Sequence, residues 1–390
     1  RTDWRVIVVD KDDIHDYQPG YLFIPFGINT PEQVRRSMHT FLADGVELVM
    51  GEVDVVEPEA KLVRLEGGRE IAYDYLVIAT GTTPRPDQTP GMLGPQWRRS
   101  VHEFYTYEGM IALKKALKGF TGGRVVMHIT ELPIKCPVAP LEFVMLADDY
   151  FTKKGMRDQV EIVYVTPLDG AFTKPVASRE LGGHLSTRGI KVETDFMIER
   201  VDQERKAIVS YDEREISYDL LVTVPLNMGA DYVGASGLGD ELNYVPVDKH
   251  TMQSTAYDTI FALGDGGNLP TSKAGSVAHF SVDVFADNFV ELVAGRPMTH
   301  SFDGHANCFV ESGKGKALLL DFNYETEPLT GHFPFSVGPM SLLKPSRTNH
   351  LGKLAFRHVY WNVLLPGRPM PLPAEMSMFG KKVETEPAQT

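Results

Sequence analysis

Cysteine is nearly missing from this chain: Cys136 and Cys308 are the two it has in 390 residues. Two thiols cannot make a disulfide framework, and alone they cannot close a zinc site; any role they have is as a pair or as reactive thiols. Cations are short as well. Lys plus Arg is 39 against 52 Asp plus Glu, a formal charge of −13, and neutralising a nucleic-acid backbone needs the opposite surplus. No stretch approaches the roughly 18 uncharged apolar residues of a spanning helix. What is present, 43% hydrophobic and 23% charged residues, is the composition of a folded globular protein. At about 150 residues per domain the length allows two or three domains.

A glycine-rich phosphate loop is also missing where one is wanted. Val6-Ile7-Val8-Val9-Asp10 reads as a buried, parallel strand closed by an acid. A dinucleotide-binding fold places its ribose acceptor at such a position, about 20 residues after a strand–GxGxxG–helix unit. The chain opens at Arg1-Thr2-Asp3, so this first βα unit is expected to be absent from it. Taken alone, Asp10 reads as an ordinary strand-end acid.

Further along, 46–56, 61–65 and 71–78 read as strands, with Gly67-Gly68 as a hairpin turn. The last of them runs into Ala79-Thr80-Gly81, small residues that let a backbone approach a flat ligand. Helices are expected near 105–118, 141–154 and 177–187, alternating with strands near 124–129, 160–165, 190–195, 206–210 and 218–224. Tyr73-Asp74-Tyr75-Leu76-Val77 is echoed by Tyr218-Asp219-Leu220-Leu221-Val222, which suggests two related halves. Ile260-Phe261-Ala262-Leu263-Gly264-Asp265 is another buried strand, ending in Gly-Asp. The alternation predicts an α/β fold. Beyond 300 the texture changes to short strands and a Pro- and Met-rich end, expected to be a smaller third domain.

The acid after the first strand, Ala79-Thr80-Gly81 and Leu263-Gly264-Asp265 together resemble the flavoproteins of the disulfide-reductase type, which have two dinucleotide domains. A finer resemblance is carried by Pro133-Ile134-Lys135-Cys136-Pro137-Val138-Ala139-Pro140, Asn268–Gly275, Asp303–Cys308 and Ser346–Lys353, running on to Tyr360-Trp361-Asn362 and Leu364-Leu365-Pro366-Gly367-Arg368. These resemble the sulfide:quinone oxidoreductases over nearly the whole chain. The resemblance implies two Rossmann-like domains plus a small C-terminal α+β membrane and quinone domain. The expected boundaries are 1–100 with 226–299 for FAD, 101–225 for the second dinucleotide-type domain carrying Cys136, and 300–390 for the part that covers the flavin. It implies sulfide oxidation at Cys136 and Cys308. Cofactor contacts are implied at Asp10, Val53, Thr80, Gly81, Gly264, Asp265, Lys273 and Lys353, with Lys353 opposite the flavin edge that becomes negative on reduction.

Thiol–disulfide exchange suits sulfide as a donor, with a flavin to take the electrons. The plainer reading of each cysteine is a small buried hydrophobe. Their polar, loop-like surroundings, Lys135 before Cys136 and His305 with Asn307 before Cys308, favour reactive thiols instead. Lys353 and Lys273 would ordinarily be surface lysines. Family members often carry a third cysteine; none is here, so FAD is expected to be non-covalent, and without the glycine loop it is expected to be held less well. His279, His305 and Glu142 are the candidates for a general base, each more often structural. An NADH:quinone oxidoreductase of the same fold is the alternative, weakened because Thr130-Glu131-Leu132-Pro133 stands where GxGxxG would receive pyrophosphate. The flavin subunit of a cytochrome-linked sulfide dehydrogenase, and a flavin-fold scaffold without cofactor, are further alternatives.

Residues 340–382 hold seven cations, from Lys344 to Lys382, against Glu375 alone, a net +6. Mixed with Leu, Met and aromatic residues, they read as a segment lying at a bilayer surface, with a domain-packing helix as the bland alternative. The expected location is therefore peripheral, monotopic membrane attachment. Phe356 and Tyr360, one helical turn apart, are expected to sandwich a quinone ring. The expected partners are sulfide, a membrane quinone and the lipid surface, with no metal and no nucleic acid; homo-oligomerisation is left open.

Overall fold

A computed structural model of the chain describes residues 4–370 and 372–383; the extreme ends of the first and third expected domains, 1–3 and 384–390, lie outside the described residues. The centre of the molecule is a five-stranded parallel sheet in the order Val101–His102, Leu220–Val224, Gly123–Ile129, Val160–Val165, Lys191–Glu193. Val125, Val126, Met127, Leu221 and Val222 are fully buried, as expected for a parallel sheet covered on both faces. Three helices accompany it, Tyr107–Gly119, Ala139–Lys153 and Pro175–Ser186. The first starts where the Thr106 hydroxyl accepts from the Gly109 N–H, an N-cap bond that satisfies an otherwise orphaned donor. The second starts with Pro140 in its first turn, where a missing N–H does no harm.

Parallel pairing continues in two separate pairs, Val6–Asp10 with Val46–Met50 and Leu76–Ile78 with Ile260–Ala262. Two antiparallel meanders complete the pattern. Val53–Glu57, Leu62–Leu65 and Glu70–Ala72 lead into Leu76–Ile78, and Ile198–Asp202, Ala207–Ser210 and Glu215–Ser217 lead into Leu220–Val224. The repeated Tyr-Asp phrases thus mark the same turn in two similar units. Two expected strands are each broken in two. The run 46–56 changes sheets at Gly51, where an added Cβ would lie 2.8 Å from Leu65 Cδ1. The run 71–78 turns at Tyr73, whose N–H donates to Lys61 O.

The C-terminal part is a mixed five-stranded sheet in the order Ala306–Glu311, Ala317–Phe322, Met340–Leu342, Thr330–Phe333, Lys381–Lys382. The helix Arg347–Val359 packs on it and passes into a short π-helical turn, Tyr360–Leu364. One hydrophobic core joins this sheet to the central one and contains Cys308, with Cys136 packed against it. Among the described residues no helix is long and apolar enough to cross a membrane.

Candidate active site

Cys136 occupies the turn between the strand Gly123–Ile129 and the helix Ala139–Lys153. Its φ is +51°, and its N–H donates to Lys273 O at 2.6 Å. A left-handed conformation is uncommon outside glycine, so the turn is held by its surroundings. Cys308 lies within the strand Ala306–Glu311, opposite Leu320, and is buried. The loop-like setting expected of the thiols holds for Cys136 and not for Cys308, which is in a strand, and neither sulfur is activated by its surroundings. Burial pushes both thiols up to about 12; Glu142 adds to this and Lys353 opposes it at each sulfur. In an unpolarised apolar site a thiol keeps its proton. Although 172 positions separate them (308 − 136), the two thiols thus share one buried pair of charges, and Cys308 adds to the upward push on Cys136.

That pair joins helix to helix. Lys353 Nζ binds the Glu142 carboxylate and donates to Phe309 O at 2.9 Å, next to Cys308. Glu142, 1% exposed, also accepts from the Glu311 N–H at 2.7 Å. Burial pushes its carboxyl up, while Lys353 pulls it back. Burial works most strongly against the Lys353 charge, but Glu142, Cys136 and Glu311 together outweigh it and leave the amine above its ordinary value. Of the three candidate bases, Glu142 is the one placed at the thiols. His305 is locked instead: its Nε2 meets Asp321 Oδ1 at 2.8 Å, its Nδ1 meets Ala374 O at 3.1 Å, and its ring stacks on Phe280 at 4.3 Å. His279 faces Asp283 on its own helix at 3.7 Å.

Lys273 is buried too. Its Nζ donates to Asp265 O at 2.8 Å and Gly267 O at 3.0 Å and sits 3.6 Å from the Tyr244 ring centre. Burial lowers it to about 8, with Asp265 opposing. Beside this turn a cavity of about 580 Å³ opens, lined by Ile134, Pro137, Thr173, Lys174, Ser272 and Lys273 among others.

Of the residues expected around FAD, Asp10, Thr80, Gly81, Gly264 and Asp265 close or follow parallel strands, where such sheets bind ligands; Val53 begins an antiparallel strand and Lys353 lies on a helix. Gly81 (φ +68°) follows Leu76–Ile78, and Gly264 (φ +60°) follows the neighbouring Ile260–Ala262. A Cβ on Gly266 would come 3.5 Å from the Gly81 N–H nitrogen, so the two turns approach closely backbone to backbone. No hydrogen bond among the described residues uses the Asp265 carboxylate, which burial pushes up. Thr80 Oγ1 lies 3.3 Å from the Tyr232 hydroxyl. Asp10 closes Val6–Asp10; its carbonyl accepts from Gly51, two residues before Val53, and its Oδ1 accepts from Asp12. An open cradle of glycines with a free carboxylate at its rim fits a nucleotide cofactor.

Phe356 and Tyr360 are brought together, but not as two parallel faces: their rings are 6.4 Å apart and tilted by 54°. Tyr17 packs on Tyr360 at 4.8 Å, and His15 Nε2 meets the Tyr360 hydroxyl at 2.6 Å. Phe41 and Trp361 extend the cluster. Nothing in the local sequence linked residues 15–41 to 356–361. The net +6 of the C-terminal segment is only partly a surface charge. Lys353 is spent on Glu142, Lys381 on buried Asp321 at 2.5 Å, and Arg357 on Asn29 at 2.6 Å and Gln33 at 2.7 Å. Lys344, Arg347, Arg368 and Lys382 stay exposed.

No protein-family model matches the chain. It is 27% identical over 390 residues to the mitochondrial sulfide:quinone oxidoreductase of Dictyostelium discoideum, covering 99% of this chain and 83% of that protein. The mitochondrial sulfide:quinone oxidoreductase of Schizosaccharomyces pombe is 28% identical over 367 residues, 91% of this chain and 80% of that one. The chain is thus similar over nearly its whole length to sulfide:quinone oxidoreductases. Its fold is similar to the crystal structure of the sulfide:quinone oxidoreductase of Aquifex aeolicus, with a TM-score of 0.79 at 18% identity over 94% of this chain and 87% of the other. A ferredoxin reductase from Rhodopseudomonas palustris shares the mixed α/β fold at a TM-score of 0.62, with 16% identity over 85% and 79% of the two chains.

Proposed function

We propose that this chain is a sulfide:quinone oxidoreductase, in which Cys136 and Cys308 oxidise sulfide and non-covalent FAD carries the electrons to a membrane quinone. The observation that carries this reading is that Cys136 packs against the core holding Cys308, with the buried Glu142–Lys353 pair bonded beside Cys308 at Phe309 O. With the pair oxidised to a disulfide, HS⁻ attacks one sulfur; a new S–S bond forms, the Cys–Cys bond breaks, and the other sulfur leaves as thiolate. Lys353 stabilises that thiolate, and Glu142 takes the proton of the new persulfide. FAD, when bound, accepts two electrons from the sulfur side and gives them to the quinone.

The residues that would hold FAD are Gly81, Thr80, Gly264, Asp265 and Asp10, with Val53 beside the last, while Lys273 braces the Asp265 turn. In this reading 1–100 with 226–299 is the FAD domain, 101–225 the second dinucleotide-type domain, and 300–390 the part facing flavin and membrane. Phe356 and Tyr360 belong to the quinone side, as one edge of an aromatic cluster. Leu351, Phe335, Val337, Phe379 and Val383 are more than half exposed and, with the four free cations, form the surface that would rest on lipid. Purified, flavin-loaded chain should reduce a short-tailed quinone with sulfide as donor and not with NADH. Reduction by NADH alone would replace this reading with the NADH:quinone alternative.

A further inference from the structure

Two titratable side chains, the buried Glu311 and the partly buried His350, adjoin the Glu142–Lys353 pair and have no task in the chemistry above. Glu311 ends the strand that carries Cys308, is 1% exposed, and donates its N–H to Glu142 Oε1 at 2.7 Å. Its Oε1 lies 2.7 Å from His350 Nδ1, and the His350 side chain is 22% exposed. No hydrogen bond among the described residues uses His350 Nε2. His350 and Lys353 stand three positions apart on one helix and so share a face. Burial pushes the Glu311 carboxyl up; His350 and Lys353 oppose this, and Glu142 adds to it. The other charged groups near this strand end are Arg188, which donates to Ser312 O at 2.7 Å, and Asp149, whose Cβ packs against Gly313.

Oxidation of HS⁻ to zero-valent sulfur yields two electrons and one proton. The electrons have a carrier; the proton starts in a desolvated pocket, where an uncompensated charge is costly. We propose that Glu311 and His350 are the proton exit of the sulfide-oxidising site. Glu142 takes the proton at the sulfurs. With Lys353 staying charged between them, the proton passes from Glu142 to Glu311, whose N–H already holds Glu142 Oε1, and His350, 2.7 Å from Glu311 Oε1, passes it to solvent. This rests on the sulfide reading of the same site.

Glu311→Gln and His350→Gln keep size and polarity but cannot carry the proton. Sulfide-driven flavin reduction, followed by stopped flow across pH, should slow about tenfold or more in each. Added imidazole should restore His350→Gln while leaving the parent chain unchanged. As a second readout, proton release to a pH-indicating dye in weakly buffered solution should lag flavin reduction more in both variants than in the parent chain. Parent-like rates in both variants, slow rates that imidazole does not restore in His350→Gln, or proton release that keeps pace with flavin reduction would each overturn the relay. A parent chain that sulfide cannot reduce would overturn the sulfide reading itself.

Discussion

Lys273 and Lys353 look alike in the sequence, each an isolated lysine in a polar stretch, yet burial leaves them opposite. Lys273 is held by two carbonyls and a tyrosine ring, with no carboxylate bonded to its amine, and falls to about 8. Lys353 is held by a carboxylate, and its amine is raised. Dipoles and a ring face recover part of the desolvation cost of a cation; a directly bonded anion recovers more. Position thus decides between a lysine able to lose its charge near neutral pH and one that keeps it. The first braces the Cys136 turn through its own carbonyl. The second sets the charge felt by both sulfurs.

The largest expected effect separates the sulfurs from their supports. Cys136→Ser or Cys308→Ser should lower sulfide-dependent flavin reduction by more than about 100-fold, because neither thiol has a substitute, with the unfolding midpoint little changed. Near-parent rates in either variant would dissolve the pair.

Next is Lys353→Met, which leaves Glu142 buried without its partner and should cost about 3–5 kcal/mol in denaturant unfolding. The unpaired carboxyl has its folded pKa raised above the unfolded one. Its protonated form is therefore compatible with the fold below pH ~4, and stability is lost as pH rises through the raised value. The deficit should be larger at pH 8 than at pH 5, and a pH-independent deficit would count against Glu142 as the cause.

Lys273→Met should show the opposite lysine. Because the folded pKa of about 8 lies below the unfolded value near 10.4, the unfolded chain binds more protons between them, and this lysine makes stability rise with pH across that window. Subtracting the variant's pH–stability curve from the parent's isolates this slope from the thiols, which lose stability in the same alkaline range. A flat difference would return Lys273 to an ordinary lysine.

The smallest effect concerns lipid. With Lys353 and Lys381 buried, at most about 1 kcal/mol for each exposed cation is open to salt screening. Leu351→Ser with Phe379→Ser should therefore weaken vesicle binding more than added salt does. Salt alone releasing the protein from anionic vesicles would reverse that ranking.

Much of the fold was legible because short apolar runs between turn residues report strands directly. Val160–Val165 and Ala207–Ser210 fall where their patterns place them. Runs without an internal turn signal strong enough to notice, such as 46–56, were read as one strand and fold as two. Both cysteines and Lys353 were legible through their motifs. Their partners were not: Glu142 and Lys353 are 211 positions apart, and Tyr360 and His15 are 345 apart. Such pairs leave no periodicity, spacing or composition to read. The charge surplus of 340–382 was legible as a sum but misleading as a surface, since a count cannot tell a solvated lysine from one buried on an aspartate.

The Lys381–Asp321 contact also has a consequence in time. Asp321 pairs with His305 inside the sheet that carries Cys308, and its other oxygen is met by Lys381, 60 positions later (381 − 321). At ~5–20 residues per second of synthesis, that carboxylate waits roughly 3–12 s for its cation. Until then His305 and Asn307 alone hold that carboxylate, so the sheet around Cys308 is completed only when Lys381 arrives. A nascent chain arrested between these points should therefore expose Cys308 to a thiol-modifying reagent more than the full-length chain does.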